Sequence, residues 1–344
     1  MALSRRGKAL LSTFLALVVV GGGVIGYLMF TGRGDAIPFL GGARTPTTCP
    51  LTGLEPRRES LAGKTAVAVK VENISSSRPQ AGLNRADVVY EEPVEGGITR
   101  FIAIYHCSGA DRVGPVRSAR FADPRILVQY GPVVFAYSGG IQEVKDQVEA
   151  TGTLQDVNYD SNAELYELDP NRAAPHNVYT STTAVRGAVE IRRQAPEPVF
   201  EFDAERPARE ESGRGRQVHL EFSPVTEVDW TYDRGSGRYL RAHGEETHTT
   251  EDGEQVSSTN VVVMEVRMRS TGIVDAAGNP SPEPIVLGSG RAFVFRNGRV
   301  IEGEWSRSSE GDRTELLDGN GEVIPLAPGR TWIELVPRKG KIVF

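Results

Sequence analysis

Alternating apolar and polar side chains predict a mixed α/β domain between residues 49 and 195. Val67, Val69 and Val71 share one face of a strand at 65–72. The run at 98–106 carries apolar side chains on both faces, which is typical of a strand in the middle of a sheet. Further strands are predicted at 88–92 and 132–137, and helical spacing predicts a helix over 141–150.

The region from residue 217 to residue 344 shows short strand patterns without long amphipathic helices. Turn dipeptides such as Asn297-Gly298, which accept positive φ angles, separate these strands. The pattern predicts a β-rich second domain, built as a small antiparallel barrel or sandwich. The predicted strands are 217–222, 238–243, 259–268, 291–296, 300–305 and 331–336.

Residues 9–32 form a run of 24 positions without a charged side chain, directly after Arg5, Arg6 and Lys8. About 20 apolar residues cross a bilayer as a helix, and a basic flank stays in the cytoplasm. A cleaved signal peptide is the alternative, although its apolar region is usually only about 7 to 15 residues long. The run therefore predicts a single-pass signal-anchor in the cell membrane, with a cytoplasmic tail at 1–8 and extracellular domains.

The chain beyond this run is too long for one ordinary core, so two domains are expected. Residues 33–48 lack a periodic apolar pattern and indicate a stalk, and residues 196–216 indicate a linker. The predicted domains are therefore 49–195 and 217–344.

The two cysteines, Cys49 and Cys107, lie in the region expected outside the cell. An even pair in an oxidising compartment predicts a disulfide, and two separate buried thiols are the alternative. The cysteines supply too few ligands for zinc, and His243 and His248 bracket a predicted hairpin. The sequence predicts no metal and no cofactor.

The chain is acidic, with 39 Lys plus Arg against 45 Asp plus Glu and a net charge of −6. Nucleic acid is therefore not an expected partner. One stretch is locally basic, because Arg112, Arg117, Arg120 and Arg125 follow each other closely. This distribution is compatible with a small anionic ligand or a wall polymer, and a solvated surface is the alternative.

Carboxylates and arginines are densest between residues 87 and 120. Glu91, Glu92 and Glu95 stand where a predicted strand ends in a glycine turn, and Arg100 lies on the returning strand. These side chains either form a binding site or pair across neighbouring strands.

Ser138 occupies a Ser-Gly-Gly turn between a predicted strand and a predicted helix. Asp169 and His176 follow it in the order of α/β hydrolases, but Ala136 replaces the first glycine of that motif. The alternative is a helix N-terminus whose free amides bind an anion.

Several long segments resemble one known protein family. They include Cys-Pro-Leu-Thr-Gly at 49–53, Val-Ala-Val-Lys-Val-Glu-Asn at 67–73, Val-Glu-Gly-Gly-Ile-Thr-Arg-Phe at 94–101, Gly-Pro-Val-Arg-Ser-Ala-Arg at 114–120 and Pro-Gly-Arg-Thr-Trp-Ile at 328–333. The chain is similar to the YerB-like family of bacterial lipoproteins over nearly the whole region beyond residue 48. This resemblance implies an extracytoplasmic two-domain protein of unknown activity and supplies no catalytic residues. The chain departs from a lipoprotein in having no cysteine directly after its apolar run.

The leading functional hypothesis is binding or scaffolding of an anionic or peptide-like envelope ligand. The residues expected to bind it are Arg100, Arg117, Arg120, Ser138, Gly139 and His176. A hydrolase or transferase acting on cell-wall material is the alternative, with candidate catalytic residues Ser138, His176, Asp169, Glu92 and Glu95. A structural partner of a membrane complex is the third hypothesis.

The basic flank before the apolar run predicts that the carboxyl terminus lies outside the cell. A reporter that is active only after export, fused behind Phe344, is expected to be active. Activity of a cytoplasmic reporter at the same position, with an inactive export reporter, would contradict this topology.

Overall fold

The computed structural model describes residues 47–56, 59–188, 194–204, 213–275 and 278–344. Within these ranges no helix is both long enough and apolar enough to cross a membrane. The predicted signal-anchor at 9–32 lies outside the described residues, as do the tail and most of the predicted stalk.

Strands dominate the described residues, and the helices are short. The helices are α1 (Glu59–Ala62), α2 (Ala122–Leu127), α3 (Gln142–Ala150) and α4 (Thr182–Gly187). The strands up to residue 200 are β1 (Ala66–Glu72), β2 (Val88–Pro93), β3 (Thr99–Tyr105), β4 (Val133–Tyr137), β5 (Leu154–Asn158), β6 (Tyr166–Leu168) and β7 (Val178–Thr180). The later strands are β8 (Gly213–Arg214), β9 (Gln217–Ser223), β10 (Thr226–Asp233), β11 (Arg238–His243), β12 (Glu246–Thr247), β13 (Ser257–Ser258), β14 (Asn260–Val274), β15 (Pro280–Ile285), β16 (Gly288–Arg296), β17 (Arg299–Arg307), β18 (Glu315–Asp318), β19 (Thr331–Pro337) and β20 (Lys341–Val343).

Twelve strands of the described residues form one sheet, in the order β18-β17-β16-β14-β19-β2-β3-β1-β4-β5, with β8 and β15 at its margins. The strands β1, β2 and β3 are buried along their whole length, as the apolar side chains on both faces of 98–106 predict. The strand β3 is antiparallel to both neighbours, whereas β4 lies parallel to β1.

The second half of the chain is β-rich, as predicted, but its strands do not close into a separate barrel or sandwich. The strands β14 and β16 to β19 continue the sheet of the first half, and β19 lies parallel to both β14 and β2. The strands β9 to β13 and β20 form a second sheet. Local patterns predicted the strands correctly, but they carry no information about pairing between segments far apart in sequence.

The large sheet separates two apolar cores. One face packs Ile102 and Ile104 against α2 and α3 through Ile126, Val144 and Val148. The other face packs against the second sheet, where a further set of buried aromatic and branched side chains meets: Phe101, Trp230, Tyr239, Phe293, Phe295 and Trp332. Most of β3 thus lies between two packed layers.

The predicted disulfide is confirmed. Cys49 and Cys107 are bonded, with their Cα atoms 5.9 Å apart. The bond ties the start of the described chain to the loop that follows β3.

Replacing both cysteines with serine is expected to lower the free energy of unfolding by about 4 kcal/mol, because a crosslink over this separation restricts the unfolded chain. Urea titrations of the full chain in a nonionic detergent measure this difference. An unfolding midpoint equal to that of the unaltered chain would contradict the expectation.

Candidate functional site

The candidate site lies where β1 and β4 separate at their carboxyl ends. The backbone N–H of Arg117 donates to the carbonyl of Lys70 at 2.9 Å, and the N–H of Ser138 donates to the carbonyl of Arg117 at 3.0 Å. The segment around Arg117 is therefore inserted between two parallel strands. The carboxyl ends of parallel strands are a common place for ligand sites in sheets covered by helices.

Charged side chains occupy one face of the sheet at this end. Because side chains alternate along a strand, Lys70 and Glu72 face away from the valines of β1. In the strand register Glu72 and Glu92 both lie opposite Arg100, one on each side of β3. The register therefore places a glutamate on the strand at either side of Arg100.

Arg100, Arg117 and Arg120 form a group that we call the guanidinium cluster. The Nε of Arg117 lies 2.9 Å from Oε1 of Glu72, whose other oxygen lies 2.7 Å from Nδ1 of His176. Arg120 donates from Nε and Nη2 to Oε2 of Glu95, at 2.8 and 2.6 Å. Arg117 and Arg120 thus each have a carboxylate partner.

Arg100 differs from its two neighbours. The residue is 5% exposed, and no carboxylate among the described residues lies within 4 Å of its guanidinium. Its Nη1 donates to the carbonyl of Ser118 at 3.1 Å, and its buried Nε has no hydrogen-bond partner in the described chain. Burial, together with the positive charges of Arg120 and Arg117, lowers the pKa of Arg100 to about 9.

A fully buried ion group supports the cluster. The ammonium of Lys70 contacts Glu92 and lies 2.7 Å from Oδ1 of Asp123. The other carboxylate oxygen of Asp123 accepts the backbone N–H of Arg120 at 2.7 Å, which fixes the start of α2. Burial raises the pKa of Glu92 to about 8, and the nearby Asp123 carboxylate adds to this effect.

Two family models match this chain and together cover most of the described residues. Residues 51–195 match the N-terminal domain, and residues 218–333 the C-terminal domain, of a protein family of unknown function called DUF3048. The chain is 31% identical over 296 residues to a Bacillus subtilis (strain 168) protein named "Putative lipoprotein YerB". The alignment covers 84% of this chain and 86% of that protein. The chain belongs to the YerB-like DUF3048 family.

A solved member of the family has a similar fold. The crystal structure of YerB from Bacillus subtilis matches with a TM-score of 0.73 and 29% identity, covering 86% of this chain and 99% of that one. The guanidinium cluster falls within the N-terminal family segment, but Ser281 of the C-terminal segment donates to Glu95 at 2.6 Å. Both family segments therefore contribute to the site.

The structure does not assemble Ser138, Asp169 and His176 as a hydrolase triad. His176 lies against Glu72, and its Nε2 is 3.3 Å from the hydroxyl of Ser76. Asp169 pairs instead with Arg112 at 2.5 Å. A triad needs the acid to orient the histidine and the histidine to reach the serine. His176 makes its acid and serine contacts with Glu72 and Ser76, so Asp169 and Ser138 take neither role.

Two backbone amides of the turn at Ser138 are already bonded within the described chain. The amide of Ser138 is bonded to Arg117, and the amide of Gly139 donates to Oδ1 of Asn158 at 3.2 Å. Gly139 has a φ of +77°, and a Cβ atom at this position would meet the hydroxyl of Ser118 at 3.4 Å. The turn thus serves to hold the 117–119 segment in place.

Glu91 lies on the opposite face of the sheet from Glu92. Its carboxylate is 2.5 Å from Nη2 of Arg241, and its neighbour in the register is Glu334, which accepts the indole N–H of Trp230 at 2.6 Å. The imidazole of His248 lies 2.6 Å from Arg241, and burial lowers the pKa of this histidine well below its ordinary value. His248 thus serves as a neutral acceptor in a buried polar network.

The site residues that sequence reasoning missed are Lys70, Glu72 and Asp123. A signal for them existed. Charged side chains rarely enter a fully buried strand without partners, and the valine-rich β1 contains two of them.

Replacing Glu92 with glutamine is expected to make stability less sensitive to pH. A carboxyl whose pKa is raised from 4.5 to about 8 binds its proton more tightly in the folded chain, so the free energy of unfolding falls as pH rises across this range. Urea titrations from pH 5 to pH 8 should show a decline in the unaltered chain that exceeds the decline in Glu92→Gln by at least about 1.4 kcal/mol, one pKa unit.

The exposed Glu302→Gln variant is the matched control and should follow the unaltered chain. Parallel pH profiles for Glu92→Gln and Glu302→Gln would show that Glu92 is ionised throughout.

Proposed function

We propose that this protein is a membrane-associated, extracytoplasmic cell-envelope protein that binds an anionic ligand at the guanidinium cluster. The location is supported by the name of its Bacillus subtilis relative and by the apolar run with its basic flank. In this proposal the run at 9–32 anchors the chain as a single span, and the described domains lie outside the cell.

The observation that carries the binding proposal is Arg100. Moving a charged group out of water costs several kcal/mol unless nearby charges and hydrogen bonds compensate. Within the protein, Arg100 has one carbonyl acceptor and two neighbouring cations. The nearby carboxylates of Glu72 and Glu95 lie beyond ion-pair distance. A bound anion would supply the missing opposite charge.

Arg117, Arg120 and His176 complete the proposed site as its rim. The side chains of Arg117 and His176 are 22% and 23% exposed, so this side of the cluster faces solvent. Glu72 holds both of them in position. In this arrangement Arg117 and Arg120 orient the approach of the ligand, and Arg100 binds its charge.

Replacing Arg100 with glutamine is expected to weaken ligand binding by about 1.5 to 3 kcal/mol, the usual value of a hydrogen bond to a charged group. Calorimetry on the full chain in a nonionic detergent measures this with two probes, acetyl-alanyl-alanine and a glycerol phosphate oligomer. At least one probe should bind, more weakly at higher salt. The exposed Arg313→Gln variant, outside the cluster, should bind like the unaltered chain.

The proposal fails if neither these probes nor acetate nor inorganic phosphate binds, or if Arg100→Gln and the unaltered chain bind every one of these anions equally. Circular dichroism establishes that each variant is folded.

A further inference from the structure

We infer that the group received by Arg100 is a single carboxylate, an inference that rests on the proposed function and specifies its ligand class. Four features of the site support this choice: its charge balance, the depth of Arg100, the hydrogen-bonding groups of Arg100 and the acidity of the surrounding chain.

The charge balance at the site leaves room for one negative charge. Arg117 is paired with Glu72, and Arg120 with Glu95, so among the three guanidiniums only Arg100 keeps an uncompensated positive charge. A phosphate monoester carries a charge of about −1.5 to −2 at pH 7. Such a group would leave excess negative charge beside Glu72 and Glu95, whereas a carboxylate neutralises Arg100.

The depth of Arg100 selects a group that is attached at one side only. Arg100 is 5% exposed, whereas the side chains of Arg117 and Arg120 are 22% and 16% exposed, so Arg100 lies deepest in the cluster. A carboxylate is attached to the rest of its molecule through one bond and presents two coplanar oxygens. A phosphodiester within a polymer carries a substituent on either side, so placing it at the depth of Arg100 would require burying both substituents.

The hydrogen-bonding groups of Arg100 fit the same oxygens. Neither Nε nor Nη2 donates to any described residue, and Nη1 is occupied by Ser118. The edge of a guanidinium formed by Nε and one Nη matches the spacing of two carboxylate oxygens, so both bonds form in parallel.

The chain around the site disfavours a polyanion. The net charge is −6, and the first 48 residues carry more basic than acidic side chains, so the remainder is more acidic still. An extended polyphosphodiester would meet repulsion beyond the cluster. The carboxylate can come from a peptide chain terminus or from a small free acid, and the two sources share the same recognition chemistry.

Calorimetry on the full chain in a nonionic detergent tests the inference with five probes: acetyl-alanyl-alanine, its carboxyl-terminal amide, acetate, inorganic phosphate and a glycerol phosphate oligomer. We expect acetyl-alanyl-alanine to bind at least tenfold more tightly than its amide, the phosphate and the oligomer. Arg100→Lys keeps the charge but loses the fork of donors, and should bind the peptide at least tenfold more weakly. This variant also provides the test if Arg100→Gln does not fold.

The acetate result assigns the source. Acetate binding equal to that of the peptide supports a small free acid, and weaker acetate binding supports a chain terminus. Binding of phosphate or the oligomer that depends on Arg100, without binding of either carboxylate, would overturn the inference and leave the proposed function standing. No binding of any probe that depends on Arg100 would overturn both.

Discussion

The parallel pairing of β2 with β19 is the constraint on which the rest of the structure depends. It joins the two family segments into one sheet and places Glu91 beside Glu334, both fully buried. Burial, followed by the charge of Glu91, raises the pKa of Glu334 well above its ordinary value. Arg241 of the second sheet pairs with the Glu91 carboxylate, so the pairing of β2 with β19 also fixes where the two sheets meet.

Buried charges on the other face of the sheet also require partners of opposite charge, but there the pairing is incomplete. Lys70 is shared by Glu92 and Asp123, and the backbone held by Asp123 positions Arg120. The pairing stops at Arg100, which faces the solvent-accessible rim rather than a second sheet. The two faces of the sheet therefore differ at this end. On one face the buried charges form a closed polar network, and on the other face the charge of Arg100 is not compensated by a described carboxylate.

The sequence predicts individual strands well because their signal is local. The strand β3 spans 99–105 against a predicted 98–106, and β11 spans 238–243 as predicted. The register and the parallel position of β19 depend on contacts between distant segments, so no window of sequence contains them. The same limit applies to the site. The sequence predicts its arginines as ligand-binding residues, but only the side-chain positions of Glu72 and Glu95 show that these carboxylates pair with Arg117 and Arg120 and not with Arg100.

The position of β19 in the chain has a consequence for biosynthesis. This strand occupies the middle of the sheet and pairs with β2, but it is made of residues 331–337, so the edge of β2 stays open until that segment has been synthesised. An open, apolar edge can pair with other chains. The centre of the sheet is therefore completed by a segment distant in sequence from its neighbour β2, and a chain truncated before residue 331 would leave that edge unpaired.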